Sequence, residues 1–200
     1  MEKPAETQYP IHELLARRWS PRAFSERAVE PEKLRSLLEA ARWSASSFNE
    51  QPWNFIVATK GNVAEYDRLL GCLVEFNKGW AKTAPVLLLS VASLRFSHNG
   101  KENRHAMHDV GLATQNLVVE ATALGLFAHG MAGFDVEKAR TTYEIPETHI
   151  PAATWALGYA GDPAQLDPET REREADPRVR KPISEFVFTG KWGAIAAAAR

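Results

Sequence analysis

Apolar positions along the chain fall into alternating helical and extended periods. Residues 12–18 read as a short helix ending in a basic pair, and Pro21 punctuates the turn after it. Leu34, Leu37, Leu38 and Ala41 recur at the i, i+3, i+4, i+7 spacing of an amphipathic helix that Pro31 opens. The small, polar stretch 45–52 is loop, and Trp53–Thr59 (WNFIVAT) reads as a strand closed by Gly61 and Asn62. Helical spacing returns over 63–76 through Tyr66, Leu70 and Leu73. After Pro85 the unbroken apolar run VLLLSVA has strand length and predicts a strand covered on both faces. Beyond a polar loop at 94–104, residues 105–126 form the longest helical pattern. Val110, Thr114, Leu117, Val118, Ala121 and Gly125 lie along one side of it, small enough for another element to come close. A short strand running into a Gly-containing turn (127–134), a helix (138–143) and a strand (154–160) follow.

From 161 to 177 the chain is charged and Pro-containing with little to bury, and it reads as a polar linker. Ile183, Phe186, Phe188 and Trp192 then form an apolar segment, 183–193, that needs a surface on its own domain or on another subunit. The whole of 1–200 is expected to be one domain. A hydrophobic fraction of 44% suits a globular core, and a net charge of -1 gives no attraction to nucleic acid or an anionic membrane. No apolar run approaches the ~20 residues of a membrane span. The opening MEKPAETQYP lacks the basic and apolar regions of a signal peptide, so a cytoplasmic protein is expected. Cys72, the single cysteine, excludes an internal disulfide and reads as a small buried side chain.

Four segments carry candidate chemistry. In Arg18-Trp19-Ser20-Pro21-Arg22, two guanidiniums and a hydroxyl alternate, so an extended turn can aim all three one way at an anion. In Ala45-Ser46-Ser47-Phe48-Asn49-Glu50-Gln51, small side chains admit a ligand ring. Asn49 and Gln51 there offer both donors and acceptors. Met131-Ala132-Gly133, with Gly130 before it, allows unusual backbone angles or close approach. Arg178 and Arg180, with Lys181, form a basic cluster at the end of the polar stretch. Each also has an ordinary reading, as solvated turn, loop or charge run; together they suit one anionic, planar ligand.

In order and spacing the four segments resemble the nitroreductase family. RWSPRAF, ASSFNEQPWNFIV, GLFAHGMAGFD and RKPISEFVFTGKWG each look like one of its signatures, covering 17–193. The resemblance implies an α+β fold, an α/β/α sandwich with a central mixed sheet flanked by helices. It also implies a homodimer that exchanges its C-terminal arm, and noncovalent FMN. Arg18, Trp19, Ser20 and Arg22 would contact the cofactor, Arg22 near its N1/O2 edge as the catalytic residue. Ala45, Ser46, Ser47, Asn49 and Gln51 would approach from the partner subunit. Met131, Ala132 and Gly133 would line the ring, and Arg178 and Arg180 would hold the phosphate. The implied activity is ping-pong hydride transfer from NAD(P)H to a nitroaromatic, quinone or similar acceptor. A dehydrogenase or dehalogenase relative and a flavin storage or sensor protein are the alternatives. The family also places an asparagine near the flavin in the loop of Asn77, where the match is loose, and a longer polar side chain where this chain has Gly130.

Other constellations carry less. His105 and His108 share a helix face, but no third strong ligand lies near, and no metal is expected. His129 adjoins the ring-lining segment and reads as packed or solvated sooner than as an acid catalyst. No phosphate-binding P-loop, nucleophile elbow or dinucleotide-binding glycine fingerprint is present, so a nicotinamide would have to stack transiently on the flavin.

Overall fold

A computed structural model describes residues 3–199. Four strands, β1 (Trp53–Thr59), β2 (Val86–Ser93), β3 (Phe127–Met131) and β4 (His149–Gly158), form one sheet in the order β1-β2-β4-β3. Every pairing is antiparallel. Within one chain, then, the sheet lacks the mixed character that the resemblance implied.

Strand β2 sits at the centre and is buried along nearly its whole length. Its side chains alternate between faces, as a pleat of period two requires. Leu87, Leu89 and Val91 enter one core with Tyr66, Leu69, Trp80 and Ala139, beneath helices α3 (Val63–Leu70), α4 (Glu75–Ala81) and α6 (Val136–Thr142). Val86 and Leu88 enter the other with Leu37, Ala41, Ala113, Leu117 and Ala121, beneath α2 (Pro31–Arg42) and α5 (Ala106–Ala123). The expected two-sided strand and the α/β/α sandwich are therefore present. Burying each large apolar side chain of β2 contributes roughly 1.5–3 kcal/mol before ordering costs.

The small side chains of α5 admit α2: Ala113 and Ala121 are fully buried beside Leu37 and Ala41, and Asn116 Nδ2 donates to Ser44 Oγ at 2.7 Å. Gly125 is not part of that face. With φ +74° it ends α5, and Leu126 N–H returns to Ala121 O at 2.7 Å, closing the helix in a left-handed turn.

Three other expectations change. The helix over 63–76 is two helices. The chain leaves helical geometry after Leu70 because Val74 N donates to Gly133 O (3.1 Å) and Cys72 O accepts from Asp135 N (2.8 Å), so tertiary pairing replaces helical bonds. Strand β4 begins at His149, five residues before the apolar pattern suggests, because its first half pairs with the end of β2. The stretch 161–177 is not simply linker. It holds α7 (Pro168–Ala175), started by Asp167, whose side chain accepts from Thr170 N at 3.0 Å, and Leu166, Thr170 and Glu174 are buried. Among the described residues no helix is long and apolar enough to cross a membrane.

Candidate functional site

The turn after α1 (Glu13–Arg17) is fastened at several points. Phe24 is fully buried, pairs with Ala160 and stacks on Trp80 at 6.5 Å. Ser25 N donates to Tyr159 O at 2.9 Å and Gly161 N to Ala23 O at 2.8 Å, so the end of the turn runs along the end of β4. A Cβ on Gly161 would stand 2.5 Å from the carbonyl carbon of Phe24, which is why the approach needs glycine. Glu174 holds the middle: Arg22 N donates to both its carboxylate oxygens at 3.0 Å and Ala23 N to Oε1 at 3.2 Å.

This turn forms one wall of a cleft of about 270 Å³, and Arg178 and Arg180 form the other. Six cationic side chains (Lys3, Arg18, Arg22, Arg173, Arg178, Arg180) and two carboxylates (Glu174, Asp176) line it with Trp19 and Ser20. Burial, then the nearness of Arg178 and Arg180, pushes the Arg18 guanidinium below its ordinary pKa. Arg178 shifts the same way, through burial and Arg180. Like charges thus crowd in a partly desolvated space, and an anion placed among them would relieve that cost. Among the described residues Arg22 Nε is buried with no hydrogen-bond partner and Trp19 Nε1 likewise, an arrangement that native proteins rarely leave uncompensated. Arg18 Nη1 lies 3.5 Å from Ser20 Oγ. The Trp19 ring packs edge-on against Phe127 at 6.0 Å. Arg178 ties the wall to the N-terminal segment by donating to Ala16 O at 2.8 Å, whereas Arg180 donates to its neighbour Val179 O at 2.7 Å and stays exposed.

The third segment joins this site through His129, whose Nδ1 lies 2.9 Å from Pro21 O. A carbonyl only accepts, so that nitrogen carries the proton. Burial drives the His129 pKa down to about 4, with the bond to Pro21 opposing the shift and the Arg22 charge adding to it. The ring lies 4.6 Å from Trp80 and is a neutral structural donor near neutral pH. Gly130 pairs across the sheet with Trp155, and a Cβ there would meet the indole at 2.8 Å, so a longer side chain has no room. Met131 is buried, Ala132 exposed and Gly133 half-buried. Asn77 Nδ2 donates to Gly133 O at 3.0 Å, and a Cβ on Gly133 would come within 2.6 Å of that nitrogen. Asn77, expected in a loop, lies in α4 and is part of the support of the 131–133 segment.

The second segment stands apart from the cleft. Ser47 N donates to Asp109 Oδ2 at 2.9 Å, Gln51 N to Ser46 Oγ at 2.9 Å, and Ala45, Asn49 and Gln51 are exposed. Phe48, Asn49 and Gln51 have φ of 55°, 55° and 54°, left-handed backbone that costs non-glycine residues of order 1–3 kcal/mol each. Glu50 helps to hold this shape by accepting from Ser97 N at 2.7 Å. Phe48 points outward, 84% exposed and edge-on to Phe96 at 5.8 Å. Within one chain, then, the first and fourth segments line the cleft, the third meets the first through His129 while Met131, Ala132 and Gly133 lie outside the cleft lining, and the second stands apart.

Glu174 is the site residue that the motifs missed. A Glu in the charged run PETREREA carries no local mark of burial, although Asp167 before Pro168 does signal a helix start. Asp109, beside the histidine pair, serves Ser47 N and His108, and among the described residues no cluster of metal-ligating side chains occurs.

The sandwich has counterparts among known proteins. A solved oxidoreductase containing FMN is 34% identical, over 94% of this chain and 96% of that one, with a TM-score of 0.89. A nitroreductase family protein of Clostridium difficile 630 is 26% identical over 89% and 96%, with a TM-score of 0.68. A protein of Methanothermobacter thermautotrophicus, provisionally named an NADH dehydrogenase/NAD(P)H nitroreductase, is 30% identical over 81% of each sequence. The Nitroreductase family model matches residues 15–74 and 63–159, and the chain belongs to that family.

Proposed function

We propose that this chain is an FMN-dependent oxidoreductase that takes electrons from NADH or NADPH and passes them to a small acceptor such as a nitroaromatic or quinone, in ping-pong fashion. The observation that carries the reading is the cleft in which five arginines converge and, among the described residues, Arg22 Nε is buried without a partner. Family membership and the similarity to an oxidoreductase containing FMN support it.

On this reading Arg18, Ser20, Arg178 and Arg180 hold the cofactor phosphate through charge-assisted bonds, with Trp19 closing the wall. FMN, when bound, supplies the two-electron chemistry. Arg22 would stand near the N1/O2 edge of the cofactor, where a fixed cation would favour accumulating negative charge. Met131, Ala132 and Gly133 line the ring, with Asn77 holding the main chain behind them. His129, neutral and hydrogen-bonded to Pro21, fixes the turn and delivers no proton.

The protein works as a homodimer in which Ala45, Ser46, Ser47, Asn49 and Gln51 approach the partner's cofactor. Their outward, strained loop and their absence from the wall of their own cleft support this. The arm supports it too: Phe186 is 59% and Trp192 91% exposed within one chain. The test is direct. Purified protein should be yellow, and heat should release FMN in about one equivalent per chain. Consumption of NADH or NADPH should then depend on an added quinone. FAD in place of FMN, or a protein that stays colourless after incubation with FMN, overturns the cofactor assignment. Bound FMN without turnover of either nicotinamide would leave a storage or sensor protein.

A further inference from the structure

Glu174 stands in the last turn of α7, 2% exposed, against the turn that carries Arg22. A buried carboxylate is costly unless its lone pairs are satisfied. Here both oxygens accept from Arg22 N at 3.0 Å, one accepts from Ala23 N at 3.2 Å, and Arg22 Nη1 stands 3.8 Å away. The amides are within hydrogen-bond reach and the guanidinium is not, so the carboxylate grips the main chain and leaves the side chain's donors free. Ala23 is 1% exposed, and without Glu174 its N–H would be a buried donor with nothing to bond.

The same helix leads into the opposite wall of the cleft. Arg178 and Arg180 follow Glu174 closely in the chain, and Lys3 Nζ donates to the Glu174 carbonyl. One side chain therefore sets how the Arg22 turn faces the segment bearing Arg178 and Arg180.

We propose that Glu174 is a positioning residue: it acts through the main chain of Arg22 to aim that guanidinium into the cleft. The inference rests on reading the cleft as the FMN site. Glu174→Gln keeps the shape but sets an NH2 group against a main-chain N–H; Glu174→Ala removes the grip. In the FMN-loaded protein, flavin released on dilution should show affinity weakened roughly 10-fold or more in both variants, the loss expected for a charge-assisted bond. The midpoint potential of the bound cofactor should fall, as in Arg22→Ala. In an Arg22→Ala background, Glu174→Gln should change affinity by less than about twofold, because residues acting as a unit are not additive. Unchanged affinity and potential overturn the proposal. So does full additivity, which would mark general scaffolding, and so does a rise in potential, which would mark Glu174 as a counter-charge. If neither variant folds, amide exchange in the unaltered protein decides: Arg22 and Ala23 amides should exchange as slowly as those of β4, and loop-like rates refute the grip. Failure of the cofactor reading is separable, since it would appear as unaltered protein that binds no FMN while those amides stay protected.

Discussion

Acid should destabilise this protein through His129 before any shifted carboxylate contributes. Burial lowers the His129 pKa from 6.5 to about 4. Between those values the unfolded chain binds a proton that the folded chain refuses, so stability rises with pH across the window and is lost as pH falls. Each pH unit well inside the window costs about 1.4 kcal/mol, which gives about 2 kcal/mol between pH 7 and pH 5 and about 3 kcal/mol by pH 4. Glu50 and Asp167, whose pKa values are depressed by hydrogen bonds from Ser97 and Thr170, stabilise above the ordinary carboxylate range and lose that contribution only lower, as pH falls through their folded values. The interval from pH 6.5 to 5 therefore isolates the histidine. Urea unfolding with saturating FMN and fixed protein concentration would measure it at pH 7, 6 and 5, against His129→Gln, which cannot titrate but retains an amide donor. The unaltered protein should lose about 2 kcal/mol over that range beyond any loss in the variant. Packing changes against Trp80 would offset the variant's stability at every pH without altering its slope. Parallel slopes, or higher stability at pH 5 than at pH 7 in the unaltered protein alone, would refute the reasoning.

Three further outcomes are expected. Arg180→Ala should weaken FMN retention roughly 10- to 100-fold in flavin-release titrations, and Arg22→Ala should in addition slow cofactor reduction in anaerobic stopped flow. Gly130→Ala should destabilise by about 1–3 kcal/mol in denaturant titrations, because its Cβ would lie 2.8 Å from the Trp155 ring; Trp155→Phe should recover part of that loss. Ending the chain after Pro182 should lower dimer stability in sedimentation and release FMN on dilution, while a truncated protein that stays dimeric and yellow would place the interface elsewhere.

Local chemistry made much of the molecule legible in the sequence. A period-3.6 pattern found α2, whose side chains sort by face within a single element, and β1 was legible as the strand-like run WNFIVAT closed by Gly61 and Asn62. The unbroken run 86–92 announced a two-sided central strand because neither of its faces could meet water. Arg18, Ser20 and Arg22, which line one cleft, stood out in the sequence by their alternation, and Arg178 and Arg180 as a basic cluster from composition. What joins them was not legible. Glu174 is one Glu among several in a charged helix, and only the packing of α7 against the 22–23 amides makes it a buried acceptor. Likewise Gly71 to Val74 continue a helical pattern, yet the 133–135 backbone claims their hydrogen bonds and divides the helix. Gly130 looked like a missing polar contact until Trp155, across the sheet, filled the space. A sequence records what each residue prefers beside its neighbours in the chain. Bonds such as that between Glu174 and Arg22, made across 152 positions, depend on distances that exist only after the sheet has assembled.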